Sequence, residues 1–181
     1  MQLNSTILAF DTTGIQDSIS LYHKGIITSK VLPSGGSQLQ SSILIPSLID
    51  LLQTQNLNFK DVKFLATLSG PGSFTGIRIG LATAQGLVIA GGYSPVVPTL
   101  LELLAFVGGE KMQVCSQILS IVDSKRGDYF CQMFQSDLTP VDEAHTLTLV
   151  ELQAMTPTIP MISDKAITGL PGVYVPIDLI A

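Results

Sequence analysis

The 181-residue chain predicts an α/β fold in which one folding unit is used twice, the second time in abbreviated form. Three observations carry this expectation. The first 98 residues alternate strand and helix signals in a recognisable order. An apolar strand ending in aspartate, TILAFD, recurs as ILSIVD, with Asp11 and Asp123 in the same place. The chain beyond Phe134 is too short to repeat every element of the first half.

The elements follow in order. TILAF is a continuous apolar run closed by Asp11 and the turn signal DTTG. SISLY alternates apolar and polar residues, HKG turns the chain, and IITSKVL makes a third strand, so the beginning reads as an antiparallel meander. After the PSGGS loop, apolar residues at 44, 48, 51 and 52 predict a helix over Leu39 to Leu52. KFLATLS is a strand, GPGS a turn, TGIRIGLATAQGLVIA a second helix and YSPVV a short strand. Three antiparallel strands, helix, strand, helix, strand is the order of a ribonuclease-H-like unit. In the second half TLLELLAF is a helix and ILSIVDSKRGDYFCQMF a strand, polar turn and alternating strand. A helix near Leu149 to Met155 and a strand at TIPMIS complete it. A duplicated unit with one strand-Asp-turn in each half is the architecture of actin-like proteins and sugar kinases. The expected division is a ribonuclease-H-like lobe over 1–98 and a smaller lobe over 99–181.

With 46% hydrophobic and 13% charged residues the chain can bury a core. A net charge of −5 with nine Lys and Arg provides no dense basic patch, so any nucleic acid must be held with the help of a partner. Cys115 and Cys131 have no metal-type spacing and His23 and His145 stand alone, which favours reduced core thiols in a cytosolic protein and no metal site. The N-terminus MQLNSTILAFD lacks a basic stretch before a long apolar one, so no secretion signal is expected. The apolar run Ile77 to Ala90, interrupted by Arg78 and Gln85, is read as too short for a bilayer and as a buried helix.

The stretch GPGSFTGIRIG, Gly70 to Gly80, lies where a strand gives way to a helix. It misses the Walker pattern because no glycine precedes a lysine, and Gly70, Gly72 and Gly76 are spaced G-x-G-x-x-x-G rather than as a dinucleotide fingerprint. Pro71 stands where a nucleophile elbow needs glycine. Two readings stay open. The loop is a tight turn in which Ser73 or Thr75 caps the helix and Gly76 and Gly80 allow close packing, or Gly72 and Ser73 contact an anion. The helix behind it has only Arg78, Thr83 and Gln85 as polar side chains, too narrow a stripe for one fully solvated side. Ile43, Ile45 and Ile49 lie off the inward face of the preceding helix. The two helices therefore predict a protein–protein interface that includes Ile45, Ile49, Arg78, Leu81, Gln85 and Val88. Asp11 and Asp123 are turn formers on one reading; on another they position magnesium and nucleotide, although Ser124-Lys125-Arg126-Gly127-Asp128 is no glycine-rich phosphate loop.

GPGSFTGIRIG, the strand ending in Asp11-Thr12, ILIPSLIDLL and DSKRGDY together resemble the bacterial TsaB family, also called YeaZ. The resemblance implies an actin-like fold and a part in forming threonylcarbamoyladenosine beside the anticodon of tRNA. It implies a catalytically silent paralogue of the transferase TsaD that pairs with TsaD through its two N-terminal helices. TsaE, an ATPase, joins the pair, and tRNA is reached only through the complex. No tightly bound cofactor is implied; ATP or ADP, where bound, is expected at the joint with partner subunits, near Asp11, Gly72, Ser73 and Asp123. In isolation a homodimer is expected, in the cytoplasm and away from membranes. The rival expectation is an independent actin-like ATP-binding enzyme using Asp11 and Asp123.

Overall fold

A computed structural model describes residues 5–14, 16–33, 36–112, 117–155, 159–171 and 173–174. Cys115, and so half of the thiol expectation, lies outside the described residues. The chain forms two compact units, one up to Pro98 and one from Thr99 onward.

In the first unit, β1 (Thr6–Asp11), β2 (Ser18–His23) and β3 (Ile26–Val31) make the expected meander. Lys24 and Gly25, both at positive φ (50° and 84°), form the two-residue turn that brings His23 opposite Ile26. Helix α1 (Gly36–Gln53) buries Leu44, Leu48, Leu51 and Leu52, the four positions whose spacing predicts it. Strand β4 (Val62–Thr67) pairs with β1 in parallel, Leu8 opposite Leu65, and α2 (Phe74–Gly91) leads to β5 (Ser94–Val96). The sheet order is β3-β2-β1-β4-β5. Leu8, Phe10, Ile19 and Leu21 meet the inward leucines of α1 in a single core, with Ile43, Ile79, Leu87 and Val88 packed at its margin.

In the second unit, Thr99 and Glu102 cap each other's backbone N–H groups and start α3 (Leu100–Met112), which ends six residues beyond the TLLELLAF stretch that predicts it. There follow β6 (Gln117–Asp123), β7 (Asp128–Gln135), β8 (His145–Thr148), α4 (Leu149–Met155), β9 (Met161–Ser163) and β10 (Val173–Tyr174). The sheet order is β10-β9-β6-β7-β8. Renumbered within its unit, this is the first sheet again: two antiparallel partners on one side of the leading strand and two parallel ones on the other. The fold is therefore the duplicated, actin-like α/β fold. The second copy is abbreviated, since α4 has 7 residues where α1 has 18 and its last two strands have three and two residues. Strands β8 and β10, absent from the sequence expectation, are an exposed, threonine-rich edge and a two-residue pairing.

One expectation needs correction. Helix α2 runs to 18 residues and is, among the described residues, the one helix long and apolar enough by length and composition to cross a membrane. Nor is it a buried helix, for only Gly76, Gly80 and Ala84 are buried. Its unit covers one side of it and leaves the other bare.

Candidate functional site

The GPGS loop is built against the end of β1. The Gly70–Pro71 peptide is cis and Gly70 has φ +106°, where a Cβ would stand 2.8 Å from Ile77 Cδ1. The Ser73 N–H donates to the Thr13 carbonyl at 2.8 Å, and the Ser73 hydroxyl accepts the Gly76 N–H at 3.2 Å as the cap of α2. Thr12 donates its hydroxyl to the Gly76 carbonyl at 2.7 Å. A Cβ on Gly76 would run into the Thr12 carbonyl oxygen, one on Gly72 would lie 2.5 Å from the Thr13 carbonyl oxygen, and one on Gly80 2.6 Å from Thr12 Oγ1. The glycines thus seat α2 directly on the Thr12–Thr13 backbone. The donors of Ser73 and Gly76, which a phosphate loop would turn outward, are spent inside the chain.

Asp11 and Asp123 end the leading strands of their units and make the same local bond. Asp11 Oδ1 accepts the Thr13 N–H at 2.7 Å and Asp123 Oδ1 accepts the Lys125 N–H at 2.7 Å, the two-residue reach of an Asx turn. Their remaining oxygens differ. Asp11 is 1% exposed, its Oδ2 has no hydrogen-bond partner among the described residues, and burial holds its pKa above the ordinary carboxylate value despite the Thr13 bonds. Asp123 Oδ2 is taken by the Lys165 ammonium at 2.6 Å; that bond lowers the Asp123 pKa and raises that of Lys165. Strand register brings this pair together: Ile121 stands opposite Ser163, and each chain runs two residues further. Beside them burial raises the pKa of Asp164, whose Oδ1 has no hydrogen-bond partner among the described residues. Asp11, Gly72 and Ser73 thus belong to one unit and Asp123 to the other. Cys131 is buried, and burial pushes its thiol up to about 12.

The expected interface residues divide by exposure. Ile45 and Ile49 are exposed on α1 at 42% and 39%, beyond the leucines that face the core. Arg78 and Gln85 are exposed on α2, whereas Leu81 is half-buried and Val88 packs at the core margin. Two large apolar residues that the sequence reading passed over are the most open on this helix: Phe74 at 67% and Ile89 at 78%. The Arg78 guanidinium lies over the Phe74 ring at 3.8 Å. The signal for both was present: once Ser73 is the cap, positions 74, 78, 85 and 89 fall opposite Gly76, Gly80 and Ala84.

Comparison with known proteins agrees with the motifs. The profile of the family described as TsaD, tRNA N6-adenosine threonylcarbamoyltransferase, matches residues 21–146. The tRNA threonylcarbamoyladenosine biosynthesis protein TsaB of Escherichia coli (strain K12) is 29% identical over 133 residues, 72% of this chain and 55% of that protein. Its namesake in Haemophilus influenzae is 30% identical over 135 residues, 72% of this chain and 54% of that protein. The chain thus spans about half the length of these curated relatives. YeaZ from Pseudomonas aeruginosa superposes with a TM-score of 0.70 at 22% identity, over 94% of this chain and 82% of that one. A second solved structure, described as similar to peptidase YEAZ from Pseudomonas aeruginosa, gives 0.73 at 21% identity, over 97% and 88%. At such identities these two likenesses establish the fold. The matched family profile and the concordant relatives place the chain in the TsaB (YeaZ) family, within the broader TsaD family of threonylcarbamoyltransferase proteins.

Proposed function

We propose that the chain is a non-catalytic scaffold subunit that pairs with a TsaD transferase, and through it with TsaE, for threonylcarbamoylation of the adenosine next to the anticodon of tRNA in the cytoplasm. The observation that carries this reading is the outer side of α2, where Phe74 (67% exposed) and Ile89 (78% exposed) flank Arg78 and Gln85, beside exposed Ile45 and Ile49 on α1. An apolar helix face of this kind stabilises little until another protein covers it. The charge balance of −5 supports tRNA contact through the complex rather than by this chain alone. Without its partner the same face pairs with a second copy. Nucleotide, where bound, sits at the joint with partner subunits.

The test is co-purification of Phe74→Glu and Ile89→Glu variants with the cognate TsaD. Each puts a carboxylate onto one end of the face without touching the core of its unit, so binding is expected to weaken by at least about tenfold while Tm holds. Wild-type binding by both removes the interface. Depletion of the protein in cells, followed by mass spectrometry of tRNA nucleosides, is expected to lower threonylcarbamoyladenosine.

The rival reading, an independent ATP-binding enzyme, has one observation in its favour: the buried Oδ2 of Asp11, which has no partner among the described residues. Against it, Asp123 already has both oxygens engaged, one by an ammonium group. Calorimetry with magnesium and ATP on the isolated chain separates the readings, since tight stoichiometric binding lost in Asp11→Asn favours the enzyme.

A further inference from the structure

Each sheet has two edge strands, and three of the four are short or broken. Strand β5 has three residues, one of them Pro95, β10 has two and β8 has four. Strand β3 is neither short nor broken. Its six residues, Ile26–Val31, pair with β2 throughout, without proline, glycine or bulge. Ile26, Ile27 and Val31 are 58%, 51% and 50% exposed.

The hairpin fixes which backbone groups are open. Its two-residue turn makes His23 and Ile26 a hydrogen-bonded pair, and the bonded pairs then alternate to Leu21–Thr28 and Ile19–Lys30. The N–H and C=O groups of Ile27, Ser29 and Val31 therefore point away from β2, and among the described residues no strand lies beyond them. The side chains alternate as well: Ile27, Ser29 and Val31 stand on one face of the sheet, Lys30 on the other.

The charge of this edge is opposite to that of the chain. Lys24 and Lys30 bracket β3, and no Asp or Glu occurs from residue 18 to residue 49, in a chain of net charge −5. Among the described residues neither lysine has an ion-pair partner. A second β3 brings only lysines to such an edge, whereas a strand bearing carboxylates gains opposite-charge cross-strand pairs.

We propose that β3 is a docking edge for an extended acidic segment of another protein. The segment adds a sixth strand to the five-stranded first sheet, with aliphatic side chains beside Ile27 and Val31 and carboxylates beside Lys30 and Lys24. Helix α2 packs on β4 and β5, toward the opposite edge of that sheet. The inference goes beyond the scaffold reading and does not depend on it.

The experiment uses the full chain and, as probe, an acetylated peptide of alternating valine and glutamate, with alternating valine and lysine as its opposite. With the acidic peptide at about 1 mM, amide hydrogen exchange is expected to slow at least about tenfold at Ile27, Ser29 and Val31, less so at high salt, and to stay unchanged with the basic one. Ser29→Pro, which removes an outward donor and no bond to β2, is expected to abolish the effect while Tm holds. Lys30→Glu is expected to reverse the preference between the peptides. Unchanged exchange at these three amides overturns the docking edge. Equal protection by both peptides, or a preference that Lys30→Glu leaves as it was, overturns the acidic partner. A dimer of the free chain in ultracentrifugation that Ser29→Pro abolishes overturns it in favour of a second copy. TsaD binding by the Phe74 and Ile89 variants is measured separately, so the scaffold reading stands or falls on its own.

Discussion

Replacing Gly76 by alanine tests how α2 is seated. The added Cβ runs into the Thr12 carbonyl oxygen, a backbone atom at the end of β1 that cannot swing away as a side chain does. Relieving the collision means moving the first turn of α2 off the sheet, and overpacking of this kind costs about 1–3 kcal/mol. The same movement breaks the bond from the Thr12 hydroxyl to the Gly76 carbonyl, 2.7 Å long and buried, for about 1–3 kcal/mol more because the hydroxyl is left without a partner. Alanine returns about 1 kcal/mol of helix propensity. The net loss is about 3 kcal/mol, which for a unit of this size lowers Tm by about 10–20 °C. Circular dichroism melts of the purified protein measure it. A Gly76→Ala variant that melts at or above the wild-type temperature refutes the close seating of the helix. Gly86→Ala, the same chemistry nearly three turns along in open space, is the internal control and is expected to raise Tm slightly.

Two further outcomes follow from the buried groups. The Asp11 pKa is raised on folding, so its ionised form is disfavoured in the native state: stability is relatively greater below the unfolded carboxylate value near 3.8 and falls as pH rises through the folded one. Asp11→Asn, which keeps the acceptor for the Thr13 N–H, is expected to equal or exceed the wild type in urea midpoint at pH 7 and to lose that advantage near pH 3; a large loss at pH 7 contradicts it. Cys131, buried and with its thiol pushed up to about 12, is expected to resist Ellman's reagent at pH 8 in a Cys115→Ser background until the protein is unfolded, and rapid labelling of the native protein counts against its burial.

Most elements were legible in the sequence because their periods are strong. The inward leucines of α1 and the apolar residues Leu8 and Phe10 of β1 and Ile19 and Leu21 of β2 are the buried ones, as their spacing predicts, although Ser20 between the last two is buried as well. Strands β8 and β10 were not, since a four-residue edge with one inward leucine and a two-residue pairing leave no period to read. At the site, the Ser73 cap and the close-packing glycines were legible as one of two open readings of GPGSFTGIRIG. The Lys165 partner of Asp123 was not, because 42 residues and a strand register separate them in the chain.

The sequence by itself determined that two similar units follow one another, that each begins with a strand ending in aspartate, and that α2 has too little polar surface for a solvated helix. These properties are local, fixed by residue type and spacing. Only the tertiary structure decided which side of α2 is used within the chain: the Thr12 carbonyl occupies the side with Gly76 and Gly80, and the outer side with Phe74, Arg78 and Ile89 is left uncovered. It likewise decided that the two equivalent aspartates differ, one buried with an oxygen that has no partner among the described residues and one neutralised by a lysine. Burial and ionic pairing arise between segments distant in the chain, and no spacing rule within a segment encodes them.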